Sequence, residues 1–299
     1  SARSAGSTIA FQGKNYIVEE TTAESFDGVD IALFAGGPAS RAFGRLAQQK
    51  GVVVIDNSST FRLDDDVPLV VPEVNPQALK NHHGLIANPN CSTILLVSAL
   101  YPLYQKSKIK RVIVSTYQAV SGAGKEAIDE LTLQSRQSLA QQPIKPEVFQ
   151  YQIAYNLIPH IDVWVEDDYT KEEMKLVHET HKILGDHDMA ITPTAVRVPV
   201  YRSHSESIYL ETEEPITPDE ARTLLAQTKG IIVQDDPAKN LYPMPLYTSD
   251  TDAVYVGRIR RDLSCPNGLN LWAVFDQLRK GAATNAVQIM EMLLENDWL

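Results

Sequence analysis

Asn88-Pro89-Asn90-Cys91-Ser92-Thr93 joins turn-forming residues to a thiol, and an apolar run follows it directly. Gly84-Leu85-Ile86-Ala87 leads in as a short extended segment. Ile94, Leu95, Leu96, Val97, Ala99, Leu100 and Leu103 then follow at spacings that predict a largely buried helix. Asn90 is the natural N-cap, which puts Cys91 in the first turn. Free backbone N–H groups and the positive end of the helix dipole stabilise a thiolate there, so the expectation is a lowered thiol pKa. Position alone leaves a buried, inert cysteine just as open, and the thiol's partners must decide.

A thiol nucleophile needs an acid or base beside it and groups that hold the substrate. Of the seven histidines, His82 and His83 lie in a polar loop, while His178, His181 and His187 lie on or just after a solvated helix. His160 follows Ile158-Pro159 and stays ambiguous. His204 sits at a sheet turn, in Arg197-Val198-Pro199-Val200-Tyr201-Arg202-Ser203-His204-Ser205-Glu206-Ser207, where a structural histidine is the commoner outcome. Arg62 closes the run Asn57-Ser58-Ser59-Thr60-Phe61, and Arg197 lies in an otherwise apolar strand, where a cation is costly unless it meets an anion. Two such arginines fit a substrate with two anionic groups, for example a carboxylate and a phosphate. Pairing of each with a structural Asp or Glu is the alternative. No CxxC or HExxH spacing occurs, so no metal site is expected.

These residues need a scaffold. Thr8–Phe11 and Tyr16–Val18 read as strands about a Gly13 turn. Val29–Phe34 reads as a buried strand ending in Ala35-Gly36-Gly37-Pro38, with a helix over 39–50 and a further strand over Val52–Ile55. Strand, glycine loop, helix, strand is a βαβ unit, and ligands bind beyond the carboxyl ends of such strands, here at Gly36-Gly37 and Asn57-Ser58-Ser59. No G-x-G-x-x-G run precedes residue 30, so one further βαβ's worth of chain is expected upstream of Ser1. After the Cys91 helix come a strand over Arg111–Tyr117, a Ser121-Gly122-Ala123-Gly124 turn and a polar helix over 125–141. A helix over 170–184 carries a Thr170 cap with Glu173 at capping-box spacing. Strands are then expected at Thr194–Val200, Ser207–Thr212, Ala253–Ile259 and Asn270–Gln277, with helices over Thr217–Lys229 and Ala282–Asn296. The fold class is α/β: a Rossmann-like parallel-sheet domain plus an α+β domain with a mixed, partly antiparallel sheet.

A chain of 299 residues suits two domains, and 43% apolar with 22% charged residues is ordinary for a soluble globular protein. A net charge of −11 argues against nucleic-acid binding, and no apolar run is long enough to cross a bilayer. Two cysteines, Cys91 and Cys265, favour a reducing, cytoplasmic setting.

Several blocks, in order, resemble the aspartate-β-semialdehyde dehydrogenase family. They are Val67-Pro68-Leu69-Val70-Val71-Pro72-Glu73-Val74-Asn75, the Asn88–Thr93 run, Ser115–Gly124, Arg197…His204-Ser205-Glu206 and Leu278–Gln288. The resemblance implies a phosphorylating, NADP-dependent aldehyde dehydrogenase. It would interconvert L-aspartate-β-semialdehyde and β-aspartyl phosphate through a cysteine thioester, in the synthesis of lysine, threonine and methionine. It implies Cys91 as nucleophile, His204 as acid/base and Gln118 as orienting group. Arg197 would hold the α-carboxylate, Glu179 would face the α-amine, and Arg62, Asn90 and Lys182 would form the phosphate pocket. Glu179 and Lys182 lie three apart on one helix and so share a face. Ser1, Arg3 and Ser4 would surround the adenosine 2′-phosphate, and Gly36, Gly37, Asn57, Ser121, Gly122 and Asn285 would line the rest of the NADP cleft. The implied division is a cofactor domain of residues 1–90 and about 279–299, with a catalytic and dimerisation domain of 91–278. The implied assembly is a homodimer or a dimer of dimers. A catalytically silent binding or subunit-interaction paralogue and a reductase of a neighbouring acyl phosphate are the competing readings.

Overall fold

The computed structural model describes residues 4–299. Strands β1 (Thr8–Phe11) and β2 (Lys14–Ile17) form an exposed antiparallel hairpin. A three-stranded parallel sheet follows, in the order β3 (Ile31–Phe34), β4 (Val53–Asp56), β5 (Leu85–Ala87). Helix α1 (Gly37–Gln49) begins directly at the carboxyl end of β3, with Gly36 as its N-cap. β4 is buried throughout, whereas β3 is an edge strand whose Leu33 is half exposed, so the fully buried strand expected over Val29–Phe34 is partly open.

The second sheet has six strands, in the order β7-β6-β8-β11-β10-β9. These are β6 (Ile109–Gln118), β7 (Ala190–Arg197), β8 (His204–Thr212), β9 (Ile231–Val233), β10 (Val254–Arg261) and β11 (Gly268–Phe275). The β6–β7 and β10–β9 pairs are parallel and the rest antiparallel. The sequence reading missed β9, which has only three residues and no alternation to mark it. It also carried the 194–200 strand too far: β7 starts at Ala190 and ends at Arg197. Arg197 therefore stands at a strand end, beside Gln118 at the end of the parallel neighbour β6.

Helix α2 (Cys91–Lys106) lies at the centre of the molecule. Ile94, Leu95, Leu96, Val97, Ala99, Leu100 and Leu103 are all fully buried, so every face of the helix is packed. A helix apolar all round belongs inside a protein, and each such side chain contributes about 1.5–3 kcal/mol of transfer free energy. Helices α3 (Lys125–Leu139), α4 (Lys171–Leu184), α5 (Pro218–Ala226) and the short α6 (Pro245–Thr248) complete this part. The chain then enters a π-helical stretch over Arg279–Ala283 and the terminal helix α7 (Thr284–Glu295). Ala286, Ile289 and Leu293 of α7 pack against Val53, Ile55, Val70, Leu79 and Ile86, so the end of the chain covers the parallel sheet.

One carboxylate ties α4 to β7. Glu173 Oε2 accepts from Thr170 N at 2.7 Å, closing the capping box, and Oε1 accepts from Ala195 N at 2.9 Å. Glu173→Ala strands both buried donors. It should lower unfolding free energy by about 2–4 kcal/mol in urea denaturation, against less than about 1 kcal/mol for an ordinary surface change. A loss in the surface range would remove this tie from the fold.

Candidate active site

Asn90 is buried and engages each of its polar groups, with one of the two Nδ2 protons to spare. Its side-chain oxygen accepts from Ser92 N at 2.9 Å and Thr93 N at 3.3 Å, which is the expected N-cap. Its side-chain nitrogen donates to Glu172 Oε1 at 3.0 Å, and its backbone N–H donates to Glu179 Oε2 at 2.7 Å. Cys91 follows as the first residue of α2. Glycine is required at position 281, because a Cβ there would lie 2.8 Å from Phe275 and 3.1 Å from the Cys91 Cβ. The π-helical turn thus presses its backbone against the Cys91 side chain.

The thiol pKa departs from the sequence expectation. Burial pushes it up to about 12, helped by the Glu172 charge, while Arg62, the Ser92 N–H and Arg197 pull the other way. Desolvation of a thiolate outweighs the helix-start field here. The resting sulfur carries its proton.

Glu172 is the hub of the polar network. Oε1 also accepts from Gln118 Nε2 at 3.2 Å, and Oε2 accepts from Lys175 Nζ at 2.9 Å. Burial acts to raise the Glu172 pKa, but the Lys175 charge and the hydrogen bonds from Lys175, Asn90 and Gln118 hold the carboxyl below its usual value. Gln118 is further fixed by a 3.3 Å bond to Thr116 Oγ1.

Arg197 is 6% exposed and donates through Nη1 to Ala119 O at 2.7 Å. Its guanidinium lies over the Phe149 ring, 5.9 Å from the centroid. No ion pair neutralises it among the described residues. A buried guanidinium with donors to spare can take a carboxylate. His204 is fully buried. Its Nδ1 accepts from Ala119 N at 3.1 Å, which assigns the ring proton to Nε2. Nε2 has no partner among the described residues, and burial, then Arg197, drive the His204 pKa well below its ordinary value. Gly122 closes this corner, since a Cβ would lie 3.0 Å from Arg197 Nη1 and 3.1 Å from His204 Nε2. Ser121 Oγ accepts from Gln277 Nε2 at 2.5 Å.

Glu179 and Lys182 are placed differently from the expectation. Glu179 Oε1 pairs with Arg62 Nη1 at 3.0 Å and Oε2 holds Asn90 N, so the carboxylate braces Arg62 and the start of α2. Lys182 Nζ donates to the carbonyls of Arg62, Asp64 and Val67 at 2.7–2.9 Å, which uses all three of its donors. The glutamate whose charge acts on the thiol is Glu172, paired with Lys175, seven residues earlier on the same helix. The sequence reading missed both. Their three-residue spacing matches that of Glu179 and Lys182, and two turns of a helix return to nearly the same face.

Arg62 also donates from Nε to Asn88 O at 2.9 Å and from Nη2 to Asn57 O at 2.8 Å. Asn88 Nδ2 donates to Asn57 Oδ1, and Asn285 Nδ2 donates to Asn88 Oδ1 and Val70 O. Lys280 Nζ caps this chain, bonding Asn285 Oδ1 at 2.8 Å and Glu73 Oε2 at 2.5 Å. Gly36 and Gly37 open α1 with no side-chain cap, and a Cβ on either would meet nothing within 4 Å. Ser4 is exposed at the other end of the chain and its carbonyl accepts from Ser7; Ser1 and Arg3 lie outside the described residues.

The family model described as the semialdehyde dehydrogenase NAD binding domain matches residues 1–82, and the one described as its dimerisation domain matches residues 100–280. Aspartate-semialdehyde dehydrogenase of Aquifex aeolicus is 53% identical over 300 residues, covering 99% of this chain and 88% of that protein. The crystal structure of aspartate semialdehyde dehydrogenase II complexed with ASA from Vibrio cholerae superposes with a TM-score of 0.94 at 46% identity, covering 99% of this chain and 88% of that one. The Candida albicans enzyme with NADP shares the fold at a TM-score of 0.79 and 24% identity, covering 100% and 90%.

Removing the Glu172 charge should ease ionisation of the thiol. Glu172→Gln should speed alkylation of Cys91 by iodoacetamide at pH 8, followed by intact mass in a Cys265→Ser background. An unchanged or slower rate would take Glu172 out of the thiol's field.

Proposed function

The chain belongs to the aspartate-semialdehyde dehydrogenase family, and from that premise we propose how its residues divide the reaction. The enzyme interconverts L-aspartate-β-semialdehyde and β-aspartyl phosphate with NADP and phosphate. The observation that carries the assignment of roles is the convergence of Cys91, Glu172, Gln118 and Arg197 around the start of α2. Arg197 takes the α-carboxylate with its free donors. Glu172, ionised and beside the thiol, meets the α-ammonium in place of Glu179. Arg62, Asn90 and Lys175 form the phosphate pocket. Lys182 and Glu179 act on Arg62 from behind, fixing its backbone and its guanidinium.

Substrate binding helps to activate the nucleophile. The ammonium cancels the Glu172 charge that helps hold the thiol protonated, and the arginines then favour the thiolate. In the biosynthetic direction sulfur attacks the β-carbonyl, the C–O bond to phosphate breaks, and phosphate leaves with the thiol's proton. A thioester on Cys91 remains. The backbone N–H of Cys91, not among those engaged by Asn90 and Glu179, favours the oxyanion of this step. His204 holds its Nε2 proton ready for the hemithioacetal oxygen and takes it back in the reverse direction.

The residues of the cleft fit NADP. Gly36 and Gly37 bring uncapped helix-start N–H groups to the carboxyl end of the sheet, a diphosphate cradle, and Gly122 leaves room where a side chain would strike Arg197 and His204. Asn57 and Asn285 flank the same edge, linked through Asn88. By the family resemblance alone, Ser1, Arg3 and Ser4 are assigned to the adenosine 2′-phosphate. NADP held by these residues would supply the hydride chemistry at the substrate carbon.

Residues 1–90 and about 279–299 form the cofactor domain and 91–278 the catalytic domain, supported by α7 packing on the parallel sheet. The protomers pair through the six-stranded sheet, whose β6 leaves Ile113 40% exposed, and the family's description of a dimerisation domain supports a homodimer. Among the described residues no helix is long and apolar enough to cross a membrane. Two free cysteines support a cytoplasmic site of action.

The test is phosphate-dependent reduction of NADP with L-aspartate-β-semialdehyde. Cys91→Ser should abolish turnover to within about 0.1% of the parent while leaving the melting curve intact, because the alkoxide is far less available than the thiolate. Retained turnover would remove Cys91 from its role. Arg197→Leu should raise KM for the semialdehyde by about 100-fold or more and leave KM for NADP within about twofold, as expected for a lost buried charge pair. Equal effects on both would make Arg197 structural.

A further inference from the structure

Lys175 does not face the phosphate pocket alone. Its ammonium lies 2.9 Å from Glu172 Oε2 on its own helix and 2.9 Å from Asp162 Oδ2 on the segment before it. Two carboxylates on one ammonium leave the group with a net charge of −1. That is a poor opening for a phosphate dianion. The Glu172 contact has evident uses, because the same carboxylate binds Asn90 and Gln118. The Asp162 contact has none in that network.

Asp162 is held in place by its own backbone. Its φ is 70°, in the left-handed region, and Oδ1 accepts from the following Val163 N at 2.9 Å, which leaves Oδ2 turned to Lys175. The segment is tied down on both sides. Ile158 exchanges both backbone hydrogen bonds with Arg197, at 2.8 and 3.0 Å, and Val163 O accepts from Lys171 N at 2.8 Å. Asp162 is therefore strung between the strand end that carries the carboxylate-binding arginine and the helix that carries Lys175. Its side chain is 30% exposed, more than that of Lys175 at 17%, so it is on the solvent side of the ammonium. Burial would lower the Lys175 pKa, but Glu172 and Asp162 more than offset it, and the cation is secure.

We propose that Asp162 sets the affinity of the phosphate pocket: its carboxylate competes with phosphate for the Lys175 ammonium. Lys175 keeps a third donor, but an oxyanion that takes Asp162's position on the ammonium displaces it, and Asp162 returns as the oxyanion leaves. The exchange swaps one charge-assisted hydrogen bond for another, so the ammonium is never left unpaired in a half-buried site. Phosphate binding is thereby kept weak enough for rapid release in the biosynthetic direction. The inference rests on Lys175 as an anchor of the phosphate pocket, in the reading given above.

Asp162→Asn tests it without disturbing the backbone, since asparagine tolerates the left-handed region and keeps an oxygen for Val163 N. Calorimetric titration of the full chain with inorganic phosphate should give a dissociation constant about two- to fivefold lower for Asp162→Asn, the range set by partly exposed ion pairs. KM for phosphate should fall in parallel and KM for NADP should stay put. Unchanged or weaker phosphate binding in Asp162→Asn, alongside lost binding in Lys175→Met, would overturn the competition alone. Unchanged binding in Lys175→Met would overturn the anchor reading and the competition with it.

Discussion

The site depends on how Asn90 is held. Its side-chain oxygen starts α2, its amide nitrogen reaches Glu172, and its backbone N–H reaches Glu179. One residue thereby fixes the direction of the helix that carries the thiol and the distance from that helix to α4. Glu173 fixes α4 to β7, and β7 delivers Arg197 next to Gln118. Nucleophile, carboxylate and cation come from three elements far apart in the chain, and a short series of buried hydrogen bonds sets their spacing. Each of these bonds is worth more for what it would cost unmade than for what it adds when made.

The charge balance follows from the same arrangement. Glu172 cannot serve Asn90, Gln118 and Lys175 without also bearing on the thiol, and burial leaves the sulfur protonated at rest. The helix start that marked Cys91 in the sequence does favour a thiolate, but its field is smaller than the cost of desolvating one.

Much of this was legible in the sequence. Turn residues, an N-cap and an all-apolar run located α2 and Cys91, and the capping box at Thr170 and Glu173 located α4 to within a residue. Arg62, Arg197, Gln118 and His204, singled out in the sequence, stand on elements that meet near the start of α2. Glu172 and Lys175 on α4 were not singled out. Glutamate followed by lysine three residues on occurs twice along that helix, at 172 and 175 and at 179 and 182, and both pairs point the same way. Only depth along the axis separates them, and depth is set by where Asn90 docks, which spacing does not encode. The thiol's ionisation was misjudged for a related reason: a helix start is visible in the sequence, whereas the degree of burial is a sum over the whole fold.

The uniform packing of α2 bears on how this protein can be divided. A helix with a solvated face can survive at the boundary between two fragments, but one buried on every side cannot. Cleavage of the peptide between Asn90 and Cys91 would give the second fragment an apolar N-terminal rod with no water-compatible surface, and that fragment would aggregate unless the first half were present during folding. Tolerated breaks belong instead at surface turns such as Gly13, in the exposed β1–β2 hairpin, where no side chain near the nucleophile is disturbed.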